Sequence, residues 1–253
     1  MKEIRIRHTP ARVLAVATFA ALLFSPGTTA LLVADQKDSA SEQRGRDSSK
    51  GPRLLTTHLG LTPGQWLAVW WQETFSIATE AQWHPLTGGG AFGGDNRTMF
   101  LGARPQPLGS ARSTIRITIP AATHLVVPII TVECSTAEEG VFHGNDEAEL
   151  RACANGHFDA VSSPSATIDG TPVEIGAAHR VESPLFRYGP LTAGNVLGLS
   201  PGTQADAVGV GYVLLLPPFS PGVHRVRIAA DVVAFGLAGD TEFIITVAKP
   251  RPR

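Results

Sequence analysis

Apolar residues recur at every second position through much of the chain after residue 112, and this restricts the fold more than any other feature. Over residues 112–120, Ile115, Ile117 and Ile119 share one face and Thr114, Arg116 and Thr118 the other. A period of two describes a strand with one wet face. Residues 124–134 (HLVVPIITVEC) are apolar on both faces, which predicts a central, covered strand. Pro128 interrupts it and cannot donate to a ladder, so a bulge or an edge stretch is expected there. Residues 205–216 place Val208, Val210, Tyr212, Leu214 and Leu216 on one face, and residues 224–230 and 241–247 alternate as well. Asp169-Gly170 is a type I′ hairpin signal inside residues 166–175. The 26 Gly and 19 Pro are too many for a helical bundle and suit many turns. The expected class is mainly β: an antiparallel β-sandwich, Ig-like or jelly-roll-like, of about nine strands with one or two helical insertions.

Two segments read as helices. Thr62-Pro63 supplies a capping hydroxyl and then Pro at the first helical position. Across residues 65–78, Trp66, Leu67, Trp70, Trp71, Phe75 and Ile77 fall on one face, with Gln65, Gln72 and Ser76 opposite. Residues 145–154 form the second, with acidic side chains favourably placed in its first turn.

The ends of the chain read differently. Residues 1–30 have the order of a signal peptide: Arg5, Arg7, His8 and Arg12, an apolar run over 13–24, then Thr28-Thr29-Ala30. An uncleaved anchor extended by Leu31 to Val33 is the alternative. Residues 31–58 are expected to be a flexible linker, because 35–53 hold almost no large apolar side chain. Residues 59–249 then form one domain, and 250–253 a short tail. A secreted or periplasmic location follows, with no stable membrane span once the signal is removed. In an oxidising compartment Cys134 and Cys153, the two cysteines, are most simply a disulfide.

A net charge of −1 lacks the basic excess that nucleic-acid binding requires, so no such partner is expected. Gly198-Leu199-Ser200-Pro201-Gly202 matches a serine-hydrolase pattern, but Pro201 has no N–H for an oxyanion, so it reads as a turn. The Gly-rich stretch at 88–97 lacks the Lys of a phosphate loop. It reads as a mobile loop in which Asp95 or Asn96 could contact a cation or a sugar. By strand parity Glu133 shares a face with Leu125, Val127 and Ile129. It would pair with Arg112 or Arg180, or serve as a metal ligand or acid/base with a raised pKa. His84 and His124 are the accompanying metal candidates. Trp66, Trp70, Trp71 and Trp83 form either a helix core face or, in part, a sugar-stacking platform.

Several short elements together resemble a family of exported bacterial proteins without an assigned activity. They are Trp70-Trp71, His84-Pro85, Phe100-Leu101-Gly102, Pro120 ahead of Pro128-Ile129-Ile130, Glu133-Cys134-Ser135 and Leu150-Arg151-x-Cys153-Ala154. Asp169-Gly170, Arg180-Val181-x-Ser183-Pro184-x-Phe186, Gly211-Tyr212 and Pro221-Gly222-x-His224 complete the set. The resemblance covers residues 62–248 and implies an exported β-rich domain, with no catalytic residues to carry over. A second Cys pair, expected in relatives near the Gly-rich stretch and Arg112, is absent here. Residues 216–230 look like the closing hairpin of Ig-like modules.

Three functions follow as expectations. The first is a non-catalytic, envelope-associated module binding a partner or glycan, with Trp70, Trp71, Trp83 and Asp95 as ligand contacts and no cofactor. The second is a metal-assisted hydrolase using a divalent cation held by Glu133, His84 and His124. The third is a purely structural role.

Overall fold

The computed structural model describes residues 52–79, 84–95 and 97–249. The signal segment, most of the linker, the 250–253 tail, Trp83 and Asn96 lie outside the described residues. Helix α1 spans Pro63–Ser76. Strands β1 (Gly90–Asp95), β2 (Thr98–Gly102), β3 (Gln106–Pro107), β4 (Ser113–Ile119) and β5 (His124–Ser135) follow. Helix α2 is Glu147–Phe158. Strands β6 (Val161–Ile168), β7 (Thr171–Val173), β8 (Arg180–Glu182), β9 (Phe186–Tyr188), β10 (Ala205–Leu216), β11 (Gly222–Val232) and β12 (Leu237–Val247) complete the domain. Neither helix is long and apolar enough to cross a membrane.

The strands form two sheets. The first runs β1-β2-β5-β10, with β8 and β9 both pairing along the far side of β10. The second runs β7-β6-β11-β12, with β3 and β4 on the far side of β12. All pairings are antiparallel except β2 with β5 and β4 with β12. This is the expected sandwich. The extra strands over the expected nine are pieces of two or three residues, such as β3, β7, β8 and β9, too short to show a period.

Two faces of β10 are buried, which places three cores around it. Leu214 and Leu216 pack with Leu125 and Val127 against Val226, Ile228, Phe243 and Ile245 of the second sheet. Farther along the same face, Val208 and Val210 are covered by Leu150, Ala154 and Phe158 of α2. The opposite face, with Ala205, Ala207, Val213 and Leu215, takes Trp66, Leu67, Trp70, Trp71 and Phe75 of α1. Removing a fully buried ring such as Phe243 would cost about 3–5 kcal/mol.

Thr62 caps α1 as its sequence requires: its hydroxyl accepts from Gln65 N–H, and the Gln65 side chain accepts from Thr62 N–H. Asp146 caps α2, which runs to Phe158, beyond the expected 154, because Phe158 anchors its last turn in the core. Asp169 and Gly170 both have positive φ, 49° and 80°, as a type I′ turn demands.

Two expectations are corrected. The Gly-rich stretch is not a free loop: Gly90–Asp95 pairs with β2, and Phe92 is buried beside Trp70 and Phe100. The linker ends earlier than residue 58. Leu55 N–H donates to Leu215 O, His58 is buried, and Leu54 and Leu55 each pack against a core cluster.

Candidate functional site

The β5 strand carries an extra residue at its proline. Ile130 pairs with Tyr212 and Pro128 with Val213, leaving Ile129 unmatched. A bulge of one residue inverts the facing of everything beyond it. Glu133 therefore points away from Leu125 and Val127, toward α1, a correction to the expected parity. Thr131, two residues earlier, accepts the Trp71 Nε1–H at 3.1 Å on that same side.

There Glu133 is buried, at 5% exposure, and Oε1 has no hydrogen-bond partner. Its neighbour is another carboxyl, Glu138, not Arg112 or Arg180. Arg112 pairs with Asp240, and Arg180 with Asp159. Burial holds the Glu133 carboxyl well above the usual carboxylate range, and the facing Glu138 adds to this. Glu138 is also raised, again by burial. Ser135 Oγ donates to Glu138 Oε2 at 3.0 Å and lies 2.9 Å from the Tyr188 hydroxyl. Burial, together with these carboxyls, raises the Tyr188 phenol. Four oxygen-bearing side chains thus meet under α1, suited to holding a proton between two acids.

The metal candidates do not join this cluster. His124 begins β5, nine positions from Glu133, roughly 30 Å at the usual strand rise. Its ring stacks on His58 at 3.9 Å, and Nδ1 has no partner. Burial, with the His124 ring beside it, lowers the His58 pKa. His84 is fully buried, its Nδ1 accepting from Leu86 N–H at 3.2 Å, and burial lowers its pKa. Among the described residues, no three-donor group of metal-binding size includes Glu133, His84 or His124.

The ligand candidates are also committed elsewhere. Trp70 and Trp71 are 3% and 6% exposed, so they offer no ring face to a sugar. Trp66 and Trp70 donate their Nε1–H groups to His58 O and Leu101 O. Trp83 lies outside the described residues. Asp95 ties the turn after β1, Oδ1 accepting from Arg97 N–H and Thr98 N–H at 2.8 Å each. Those N–H groups hold its pKa down. A small cleft at the Pro128 bulge brings together Arg104, Thr131 and Thr241, and none of its lining side chains is a carboxylate or an imidazole.

Two groupings were not visible in the sequence. Asp169, His224 and Ser220 form a row with the shape of a hydrolase triad. His224 Nδ1 lies 2.7 Å from Asp169 Oδ2, and Nε2 lies 3.3 Å from Ser220 Oγ. Yet Nε2 lies nearer the Ser220 carbonyl, at 2.9 Å, so a main-chain acceptor occupies the direction a base would use. Asp169 Oδ1 also accepts from Arg225 N–H. The row is a clamp joining the β6–β7 turn to the start of β11.

The second grouping is apolar. Val141 and Phe142, in the disulfide-closed loop, gather with Phe235, in the turn between β11 and β12, around His157 of α2, and Val233 lies in the same turn as Phe235. Phe142 and Phe235 lie 4.7 Å and 5.4 Å from the His157 ring. Val141, Val233 and Phe235 are 65%, 62% and 39% exposed. Leu108, also exposed, adjoins them through its N–H to Gly236 O.

No protein-family model matches this chain, and no curated protein matches it. Among solved structures it is similar to a chain of "Structure of PbICP-C in complex with falcipain-2". That likeness has 11% identity and a TM-score of 0.21, and covers 60% of this chain and 99% of that one. A likeness this slight says nothing about what this chain does.

Proposed function

We propose that this chain is an exported, non-catalytic β-sandwich module that docks a protein partner at the cell envelope. The observation that carries the reading is the apolar cluster at one end of the sandwich. Two exposed valines, Val141 and Val233, and the exposed Phe235 come from two separate loops that meet beside the half-buried Phe142, a grouping rather than a scatter of apolar side chains. The disulfide between Cys134 and Cys153 closes one of these loops and limits its freedom before binding. Loops at the ends of sandwiches are a common place for recognition.

Charge selects the kind of partner. Glu139 lies two residues before Val141, and Asp231 two before Val233. Neither makes an ion pair among the described residues, while Arg112, on the β3–β4 connection, is paired with Asp240. An apolar centre with an acidic rim fits a protein surface with an apolar hollow and basic side chains around it. It is repelled by an anionic lipid surface. A twofold pairing with a second copy would set the acidic rim against itself.

Site-specific photocrosslinking in intact cells that make the protein tests this. A crosslinker replacing Phe235 is expected to give one adduct, mapped to an apolar site with flanking Lys or Arg on another protein. Glu139→Lys should weaken that adduct, and a crosslinker replacing Val223, exposed elsewhere, should not form it. An adduct with lipid, with a second copy, or with nothing would overturn the reading.

A further inference from the structure

We infer that the reduced form of the Cys134–Cys153 pair, together with His157, is a binding site for a borderline-soft divalent cation, Zn²⁺. The Sγ atoms of both cysteines and a ring nitrogen of His157 lie within 4.8 Å of one another. The separation of Cys153 and His157 is one helical turn, which places both on one side of α2. In the oxidised form the ring and the sulfur are held together at one acceptor. The Val141 carbonyl oxygen lies 2.6 Å from His157 Nε2 and 3.3 Å from Cys153 Sγ. Two thiolate sulfurs and one imidazole nitrogen are a donor set that Zn²⁺ accepts, with a water in the fourth position.

The surroundings suit a metal. Cys134 is fully buried on β5, and Phe142 and Phe235 flank the His157 ring. An apolar shell of this kind limits water and strengthens the bonds to the ion. The donors come from β5, α2 and the loop before α2, and once the S–S bond is broken the two sulfurs must separate to about 4 Å to sit on one tetrahedral ion.

The chemistry balances with one co-reactant, a dithiol reductant. It donates two electrons and two protons, breaking the Cys134–Cys153 S–S bond and forming its own disulfide. Two protein thiols result. Zn²⁺ then takes both as thiolates, releasing two protons to solvent. Re-oxidation must expel the ion, because a disulfide sulfur is not a thiolate ligand. Docking through the apolar end is not required for this site.

The test is zinc titration of the full chain, oxidised and dithiol-reduced, under anaerobic conditions, with far-ultraviolet circular dichroism recorded alongside. The reduced protein is expected to bind one Zn²⁺ per chain, and the oxidised protein none at this site. Bound Zn²⁺ should slow re-formation of the disulfide by an added oxidant. Removing a metal ligand should cost at least the roughly 10–100-fold lost with an outer-shell partner, so His157→Ala should weaken binding at least that much. If reduction loosens the fold, Zn²⁺ should restore the native spectrum in the wild type and not in His157→Ala. Equal affinity with and without His157 would overturn the inference, since any two free thiols would then suffice. So would the absence of one-to-one binding, or a reduced chain that zinc does not refold.

Discussion

Glu133 lies directly across the β5–β10 ladder from Gly209, and the Trp71 indole fills the space where a side chain at 209 would stand. A Cβ there would come within 2.9 Å of Trp71 Cδ1 and Nε1. The absent side chain thus lets α1 settle on the sheet and close over the carboxyl pair.

Gly209→Ala should therefore push Trp71 outward and strain its hydrogen bond to Thr131. Overpacking of this kind costs about 1–3 kcal/mol. Urea unfolding is expected to show a loss in that range, and Trp71→Phe in the same chain should recover part of it. A melting profile unchanged by Gly209→Ala would mean the helix is not seated as described.

The carboxyl pair makes stability fall as pH rises. Glu133 has its pKa raised in the folded state, so the folded chain keeps a proton that the unfolded chain releases. Its contribution is whole below the unfolded value of about 4.3 and is lost progressively as pH rises through the raised folded value. Glu138 shifts the same way, while the Tyr188 phenol remains protonated over that range. Glu133→Gln should flatten the decline by up to about 1.4 kcal/mol per pH unit, the worth of one proton. Urea midpoints at several pH values between 5 and 9 measure the slope. A slope identical in the two proteins would rule out a shared proton.

The disulfide joins cysteines 19 positions apart. A loop near that length stabilises by about 3 kcal/mol, chiefly by restricting the unfolded chain. Replacing both Cys134 and Cys153 with Ala should lower stability by about that amount. A larger dependence on urea should accompany the loss, because the unfolded state becomes more open. Cys134 is buried against α2, so a small packing loss adds to the effect.

Ser220 should not react with a fluorophosphonate. The imidazole beside it faces the main-chain carbonyl, and Pro221 cannot offer an N–H to an oxyanion. Stoichiometric labelling at Ser220, lost on His224→Ala, would turn the clamp into a catalytic row. Asp169→Ala should instead lower stability by about 0.5–1.5 kcal/mol, because the exposed Arg225 N–H exchanges its carboxylate acceptor for water.

Much of the fold was legible because burial writes a period into the chain. The alternation at 112–120 became β4, and the residues of 205–216 became β10 without a shift. The aromatic face of α1 and its Thr62 cap were plain. Parity failed at Glu133 because the bulge at Pro128, expected in itself, reverses every later side chain, and period alone does not register an inserted residue. Glycine hid β1: Gly93 and Gly94 have positive φ, 54° and 74°, yet Phe92 and the Asp95 turn hold the segment in the sheet. The candidate site was legible only in Glu133 itself. Ser135 shares the Glu133 face two residues on and Glu138 folds back from just past the strand, but Tyr188 arrives across 53 positions and Asp169 meets His224 across 55, with no local signal.

The parallel register of β4 with β12 joins Ser113 to Thr241 and continues to Ile119 with Val247. Because β12 lies between β11 and the β3–β4 side of its sheet, that sheet has no continuous centre until Leu237–Val247 has been synthesised. Such distant pairing delays folding and leaves earlier strands open to misassociation. A nascent chain stopped short of β12 would carry β4 and β11 with no neighbour between them. Closure of the second sheet thus waits on the last strand, whereas the first sheet, β1-β2-β5-β10 with β8 and β9, takes nothing from beyond Leu216.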